Sequence, residues 1–210
     1  MKPKILCILG ETASGKDHVT NSAIDRLSMY DIRKICSYTD RPKRVGETEG
    51  VEHYFVTTEE FNNLKRTRKN DILGYTLIKD KKQSTYAGYQ YMALTDELKN
   101  SQIYIIDYDG LKYLKKLHGD SVDIVTAYVY CPLSVRLNRA KSTRSDFETE
   151  FKNRVAAEEC QFKEFRDNRL YDYLISNLNN EFEEAVAQLC NIIKTELIDK
   201  NILNRPMLKH

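Results

Sequence analysis

Gly10-Glu11-Thr12-Ala13-Ser14-Gly15-Lys16-Asp17 follows a short apolar run and precedes a helical pattern. Its spacing satisfies G-x-x-x-x-G-K, in which the glycines permit a turn whose backbone N–H groups converge on one point. A helix N-terminus follows the turn, and both features favour an anion. Lys16 can then reach the terminal phosphates of a nucleotide. The motif therefore predicts a phosphate-binding loop, or P-loop, between a buried strand and the first helix.

Asp17 stands where this motif usually has serine or threonine, whose hydroxyl helps to hold Mg²⁺. A carboxylate could bind the same ion directly or through water. Alternatively, Asp17 only caps the start of the helix. The sequence leaves both interpretations open, and we expect Mg²⁺ to be required in either case.

The composition is that of a folded protein with balanced charge. Of 210 residues, 41% are hydrophobic and 30% charged, which allows a sizeable core and argues against disorder. A net charge of +2 gives no reason to expect nucleic acid or a membrane as partner. The apolar run at residues 4–9 is too short for an export signal or a membrane span, so we expect a cytoplasmic protein. The scattered cysteines lack metal-ligand spacing and are expected to be buried free thiols: Cys7, Cys36, Cys131, Cys160 and Cys190.

Apolar β-rich runs alternate with helical patterns along the chain, which predicts an α/β fold with a parallel sheet. Predicted strands cover residues 4–9, 33–38, 103–107, 124–130 and 173–175. Predicted helices cover residues 16–29, 59–69, 111–117, 133–141, 147–165 and 181–198. Two stretches break the alternation. Residues 39–94 are predicted to form an inserted α+β subdomain, and the basic, polar residues 140–145 a mobile lid loop.

The segment from Ser37 to Phe55, Ser-Tyr-Thr-Asp-Arg-Pro-Lys-Arg-Val-Gly-Glu-Thr-Glu-Gly-Val-Glu-His-Tyr-Phe, follows the second predicted strand. Arg41 and Arg44, with the hydroxyl of Ser37, form a compact group of donors for a second phosphate. Arginine suits this task because its planar fork can hold two oxygens at once. An isolated Arg-Pro-Lys-Arg run is often a solvated loop, but its position after a P-loop and helix favours phosphate binding.

This segment resembles the guanylate kinase pattern S-x-T-x-R-x-x-R-x-G-E-x-x-G-x-x-Y-x-F, with His53 at the tyrosine position. Further stretches resemble the same family in the same order along nearly the whole chain. They are the Asp107-Tyr108-Asp109 strand end, the arginine-bearing lid with Arg136, Arg139 and Arg144, the following helix at residues 153–157, and the last strand with Asn177 at its tip.

The resemblance implies a three-layer P-loop NTPase fold with a parallel sheet, an inserted α+β NMP-binding subdomain and a short lid. The single domain would comprise a core of residues 1–38, 95–135 and 155–200, the NMP-binding subdomain at 39–94 and the lid at 136–154, with 201–210 unassigned. It implies an ATP site at Gly10, Glu11, Thr12, Ala13, Ser14, Gly15, Lys16, Asp17, Arg136 and Asn177. The acceptor would be bound by Ser37, Arg41, Arg44, His53, Tyr91 and Asp109, with Tyr86 a rival to Tyr91. The residues implied for catalysis are Lys16, Arg44, Arg144 and Arg154.

The implied reaction is transfer of the γ-phosphoryl group of ATP, with Mg²⁺, to a nucleoside monophosphate. Guanylate kinases read guanine with a glutamate in the inserted subdomain. At that position this chain has Gly74 or Lys82, depending on the side from which the spacing is counted. GMP or dGMP therefore leads as acceptor, with another (deoxy)nucleoside monophosphate close behind. Two alternatives stay open: a kinase for a ribose bisphosphate or similar phosphorylated small molecule, and a non-catalytic binding module. We expect small-molecule nucleotides as partners, and a monomer or homodimer.

Overall fold

The computed structural model describes residues 2–44, 46–78, 88–99, 101–143 and 151–198, without the side chains of residues 142, 143, 153, 157 and 160. The strands are β1 (Lys4–Leu9), β2 (Ser37–Thr39), β3 (His53–Phe55), β4 (Ile72–Leu77), β5 (Gln90–Leu94), β6 (Ile103–Ile105), β7 (Asp123–Tyr130) and β8 (Tyr173–Ser176). The helices are α1 (Lys16–Arg26), α2 (Thr58–Thr67), α3 (Tyr108–His118), α4 (Leu133–Thr143), α5 (Lys152–Asp167) and α6 (Phe182–Ile193). Residues 194–198 continue α6 as a wider, π-helical turn.

A parallel sheet of four strands, in the order β6-β1-β7-β8, forms the centre of the molecule. Strand β1 lies inside this sheet, and its residues from Ile5 to Leu9 are completely buried. A strand buried on both faces reads as a continuous apolar run, which is how β1 appears in the sequence. The predicted α/β fold with a parallel sheet is confirmed.

Helices cover both faces of this sheet, because the side chains of β1 alternate between them. Leu6 and Ile8 belong to a core cluster that includes residues of α1 and α6. Ile5, Cys7 and Leu9 belong to a second cluster that includes residues of α3 and α5. The result is three layers, helix on sheet on helix, with the carboxyl end of β1 opening directly into the P-loop.

A second sheet, in the order β3-β2-β5-β4, carries the inserted subdomain. Helix α2 packs on one face of it through Phe61, which is buried with Ile72, Met92 and Leu94. A capping box fixes the start of this helix: Thr57 accepts from the backbone N–H of Glu60, whose carboxylate accepts from the backbone N–H of Thr57. The opposite face of the sheet carries side chains that are neighbours on adjacent strands. These pairs are Ser37 and His53, Thr39 and Phe55, and Thr39 and Tyr91.

The prediction of one continuous strand over residues 33–38 is wrong. Lys34 makes only an isolated bridge to Ile103 at the edge of the central sheet, and the backbone N–H of Ile35 donates to the carbonyl of Ile103 at 2.7 Å. Three residues later, β2 pairs with β3 and β5 of the second sheet. The chain therefore changes sheets inside one apolar run, which the sequence pattern does not reveal.

Several helix boundaries differ from the sequence prediction, and two of these differences bear on the site. Helix α3 begins earlier than predicted, because the side chain of Asp107 accepts from the backbone N–H of Gly110 and caps it. Helix α4 extends to Thr143, so residues 140–143 of the predicted lid loop are helical. The remaining residues of that loop, including Arg144, lie outside the described ranges.

The cysteines with described side chains match the prediction of buried free thiols: Cys7, Cys36, Cys131 and Cys190. Burial raises the pKa of the Cys7 and Cys36 thiols to about 12. These thiols are therefore protonated at neutral pH. Across the part of the chain that the structure describes, no helix is both long and apolar enough to cross a membrane.

Candidate active site

Two positions of the loop between β1 and α1 are restricted to glycine, one by backbone conformation and one by close packing. Gly15 has a φ of 86°, in the left-handed region, and a Cβ there would lie 2.5 Å from the Asn177 amide nitrogen. A Cβ at Gly10 would lie 2.6 Å from the Ser14 hydroxyl and 2.8 Å from the Val129 carbonyl. Both glycines of the motif are thus required by conformation or close packing. The loop ends at Lys16, the first residue of α1.

Two buried polar atoms beside this loop have no hydrogen-bond partner among the described residues: the Ser14 hydroxyl oxygen and the Asn177 side-chain oxygen. The Asn177 amide nitrogen, in contrast, donates to the Ser14 carbonyl at 2.7 Å. Buried polar groups are normally paired, so atoms without a partner at a loop of this type are where a ligand's polar groups would fit. Asn177, predicted to lie near the donor nucleotide, therefore contacts the P-loop itself.

Glu11 is the centre of a buried cluster of charged and polar groups behind the loop. Its carboxylate accepts from the Tyr128 hydroxyl at 2.5 Å and contacts the Arg166 guanidinium. The Arg136 guanidinium lies 3.7 Å from the same carboxylate. Burial, with the Glu11 charge next in importance, raises the pKa of Tyr128, so its hydroxyl remains a donor. Glu11 was expected at the ATP site as part of the loop, but sequence reasoning missed its side-chain partners Tyr128 and Arg166.

Arg136 and Arg139, on α4, hold the loop through its carbonyl oxygens. Arg136 is 2% exposed and donates to the carbonyls of Thr12 and Cys131. Arg139 donates to the carbonyls of Ser14, Asn177 and Leu178. Arg136 was expected to bind ATP from the lid, and the structure places its guanidinium against the P-loop backbone. The sequence places Arg139 only among the lid arginines and indicates no role of its own for it, although its spacing of three residues from Arg136 puts both on one helix face.

Helix α5 also contacts the P-loop. Glu158 accepts from the backbone N–H of Thr12 at 2.6 Å. One helical turn earlier, the Arg154 guanidinium lies 3.7 Å from the Glu158 carboxylate. The structure therefore brings Arg154, a predicted catalytic residue, close to the loop.

In the segment from Ser37 to Phe55, which is expected to bind the acceptor, the central residue is Arg41, which is only 3% exposed. Its guanidinium donates to both carboxylate oxygens of Glu47, at 2.7 and 2.5 Å, to the carbonyl of Pro42 at 3.0 Å and to the Tyr91 hydroxyl at 3.1 Å. Partial burial opposes ionisation of Glu47, but Arg41 and the backbone N–H of Arg44 hold its pKa below the ordinary value. Glu47 is thus an ionised carboxylate that orients Arg41, a role that the sequence pattern did not indicate.

Ser37 and His53 stand on neighbouring strands, with the Ser37 hydroxyl 2.8 Å from Nδ1 of His53. The His53 ring also meets the ring of Tyr91 edge-on, at 5.4 Å between centroids. Burial first, and then the charge of Arg41, lower the pKa of His53 to about 4, while Glu47 and Asp17 act in the opposite direction. His53 is therefore neutral at neutral pH and can exchange a hydrogen bond with Ser37.

This pKa makes stability depend on pH. Since the imidazole titrates near 6.5 when unperturbed, the unfolded chain takes up more protons than the folded chain between pH 6.5 and about 4. The free energy of unfolding is therefore expected to fall as the pH is lowered through this window. Urea denaturation at a series of pH values measures it. His53→Gln should remove this part of the pH dependence, whereas His18→Gln, at an exposed position, should leave it; an unchanged dependence in His53→Gln would contradict the assignment.

The other predicted acceptor residues are placed differently. Tyr91 contacts Arg41, as described, and its rival Tyr86 lies outside the described residues. Asp109 is exposed in the first turn of α3 and pairs with Lys112 at 2.6 Å. Asp107, two residues earlier, points into the protein instead. Its carboxylate accepts a hydrogen bond from the Thr76 hydroxyl of β4 at 3.2 Å, and burial raises its pKa.

Gly74 of β4 faces the ring of Tyr104 from the central sheet. A Cβ at position 74 would lie 2.6 Å from the Tyr104 hydroxyl oxygen and 3.0 Å from the ring. A glutamate at position 74 would therefore require Tyr104 to move. Lys82, the other candidate for this position, lies outside the described residues.

The comparisons with known proteins agree with one another. The family model described as Guanylate kinase matches residues 2–196. A guanylate kinase of Symbiobacterium thermophilum is 29% identical over 93% of this chain and 87% of its own length. The rice protein "Guanylate kinase 2, chloroplastic/mitochondrial" is 30% identical over 93% of this chain and 65% of its own. The crystal structure of guanylate kinase from Anaplasma phagocytophilum has a TM-score of 0.56 at 21% identity, covering 95% of this chain and 89% of that one, which supports the fold.

Proposed function

Since the chain belongs to the guanylate kinase family and is an ATP-dependent nucleoside monophosphate kinase, we propose that its acceptor is GMP or dGMP, with another (deoxy)nucleoside monophosphate as the next candidate. The observation that carries the proposal is the pairing of two phosphate-binding arrangements. The P-loop with Lys16 stands at the end of β1, and the Arg41–Glu47–Tyr91 group is built from the loop after β2 and from β5 of the second sheet.

In this proposal, positioning and charge stabilisation supply most of the catalysis, because phosphoryl transfer asks for little covalent help. The backbone amides of the P-loop and Lys16 hold the β and γ phosphates of ATP. Arg44 and the remaining N–H of Arg41, with Ser37 and Tyr91, hold the acceptor phosphate in line. Neutral His53 orients the Ser37 hydroxyl. Arg154, and Arg144 from outside the described ranges, stabilise the transferred group and help to exclude water.

The residues at the start of α1 fit a role for Mg²⁺. Asp17 has a largely exposed carboxylate, 68% accessible, that lies 3.5 Å from the Lys16 ammonium. Mg²⁺ prefers oxygen ligands, keeps several waters and is usually held by one or two carboxylates together with substrate phosphates. Asp17 would hold the ion directly or through water, and the ion would neutralise charge on the phosphates of ATP. We propose that Mg²⁺ is required for turnover.

A coupled ADP-release assay tests the proposal. The protein is supplied with ATP and each ribo- and deoxyribonucleoside monophosphate in turn, with an acceptor-free blank, ribose phosphates as further acceptors, and a series in which EDTA removes Mg²⁺. We expect turnover above the blank that is strongest for GMP or dGMP and absent with EDTA. Strong turnover with a different base would correct the acceptor. Turnover only with a ribose phosphate, or none while ATP still binds, would overturn the proposal.

The residues around Gly74 bear on which base is accepted. A site built to bond a particular polar edge rejects other bases strongly, and one that lacks the reading group loses most of that discrimination. With Tyr104 in the space beside Gly74, the polar groups that the described residues place near this position include Tyr104, Thr76 and Asp107. We therefore expect the preference for guanine over other bases to be weaker than that of an enzyme with the glutamate. The same assay measures it as the ratio of kcat/KM values between GMP and AMP.

A further inference from the structure

Helix α5 is fastened to two consecutive P-loop residues by contacts of opposite polarity. From the helix, the Glu158 carboxylate accepts the backbone N–H of Thr12 at 2.6 Å. From the loop, the Glu11 carboxylate accepts from the Arg166 guanidinium. Glu158 and Arg166 are two helical turns apart, roughly 12 Å along the axis. A helix held at two such points can neither swing nor slide relative to the loop without breaking a charged hydrogen bond.

The loop end of this attachment is deeply buried. Glu11 is 1% exposed and Thr12 is 3% exposed. Glu11 gains further support from the Tyr128 hydroxyl and from Arg136, and Arg166 also donates to Glu159. A buried carboxylate that loses its cation is strongly destabilised, so these partners are held together by a large penalty for separation. We name Glu11, Thr12, Glu158 and Arg166 the loop–helix clasp.

One residue of the clasp, Glu158, is in contact with Arg154. Arg154 lies one turn before Glu158 on the same helix, and its guanidinium is 3.7 Å from the Glu158 carboxylate. The Glu158 carboxylate therefore lies between a P-loop amide and the arginine that the proposed function assigns to the transferred phosphoryl group. Fixing Glu158 on Thr12 fixes both the axial position of α5 and the direction in which Arg154 extends.

We propose that Glu158, Glu11 and Arg166 are positioning residues for phosphoryl transfer, which hold α5 against the P-loop so that Arg154 is presented to the transferred group. This inference rests on the proposed function and adds to it three side chains that need not touch either nucleotide. It makes the P-loop and the arginine-bearing helix one rigid unit. Small misplacements of a catalytic group can lower rates by about 10²-fold, so the clasp should affect kcat more than substrate binding.

Kinetics of Glu158→Ala, Arg154→Ala and the double variant test this inference. Glu158→Ala is expected to lower kcat by about 10²-fold and to change the KM for ATP by less than about threefold. Combined with Arg154→Ala, it should cost little more than Arg154→Ala alone, because the two residues act as one unit. Glu158→Gln keeps an acceptor oxygen for Thr12 and should restore part of the rate. Asp167→Asn, in an exposed ion pair with Lys163 on the same helix, is the matched control and should leave both constants unchanged.

Two kinetic outcomes would overturn the inference. A lower KM for ATP with unchanged kcat in Glu158→Ala would mean that the carboxylate competes with phosphate for the Thr12 amide. Fully multiplicative losses in the double variant would mean that the clasp does not act through Arg154. Arg166→Ala leaves Glu11 buried with fewer partners and is expected to lower the melting temperature, so the kinetic test rests on Glu158, whose side chain is 18% exposed.

A second readout separates failure of this inference from failure of the proposed function. Hydrogen exchange, measured by mass spectrometry without substrates, should be faster across the P-loop in Glu158→Ala than in the parent chain and in Asp167→Asn. If the parent chain turns over no acceptor, the proposed function fails, and unchanged exchange would still reject the clasp. If the parent turns over normally and the exchange rates are equal, only the clasp is rejected.

Discussion

Lys16→Ala is expected to reduce phosphoryl transfer to the level of the acceptor-free blank, a loss of more than about 10³-fold. Lys16 is the one cationic side chain of the P-loop motif. Its ammonium group can stabilise the negative charge on the phosphoryl group during transfer from ATP to the acceptor. Its ion-pair partner is Asp17 at 3.5 Å, whose carboxylate is 68% exposed although the Lys16 side chain is only 21% exposed. Exposed pairs contribute little to stability, so the fold should survive the substitution.

The measurement is kcat with saturating acceptor, together with the melting temperature and ATP affinity of the variant. Lys163→Ala removes a lysine that also pairs with an aspartate, at 2.7 Å on the surface of α5, and should retain the parent rate. A melting temperature within a few degrees of the parent would attribute the lost activity to the site. A rate close to that of the parent in Lys16→Ala would rule out the assignment of the P-loop to catalysis.

Arg44→Ala is expected to lower kcat/KM for the acceptor by about 10³-fold while leaving ATP affinity unchanged. Arg44 is a sharper test than Arg41, because Arg41 is buried and its loss would leave Glu47 without its bidentate partner. The contact of Arg44 with Glu47 is made by its backbone N–H, at 2.8 Å, and survives any change of side chain other than to proline.

Lys43→Ala is the matched control, since it removes an exposed cation from the adjacent position. It should change kcat/KM for the acceptor by less than about threefold, as expected for an exposed charge screened by salt. A similar loss in both variants would show that the loop acts only through its overall positive charge. A parent-like rate in Arg44→Ala would exclude this arginine from the acceptor site.

Features that are set by residues close together in the sequence could be predicted from it. The apolar run of β1, the glycine spacing of the P-loop and the helical periodicity of α6 are local patterns, and all three elements lie where they were predicted. The Ser37–Phe55 segment could be proposed as the acceptor-phosphate site for the same reason, and that assignment stays a prediction. Arg41, Arg44 and Glu47 are close in sequence, so a short loop suffices to bring them together.

The tertiary structure decided which side chains support these motifs. Glu11 and Arg166 are 155 positions apart, and Thr12 and Glu158 are 146 apart, so no local pattern could pair them. Arg136 matched an ATP-binding lid arginine, and the structure shows it buried, with its guanidinium donating to the Thr12 carbonyl of the P-loop. The missing glutamate at Gly74 could be noticed in the sequence, but the Tyr104 ring beside it could not. The physical reason is the same in each case: backbone conformation is set by adjacent residues, whereas the partner of a buried charge or the occupant of a gap is set by whichever distant segment packs there.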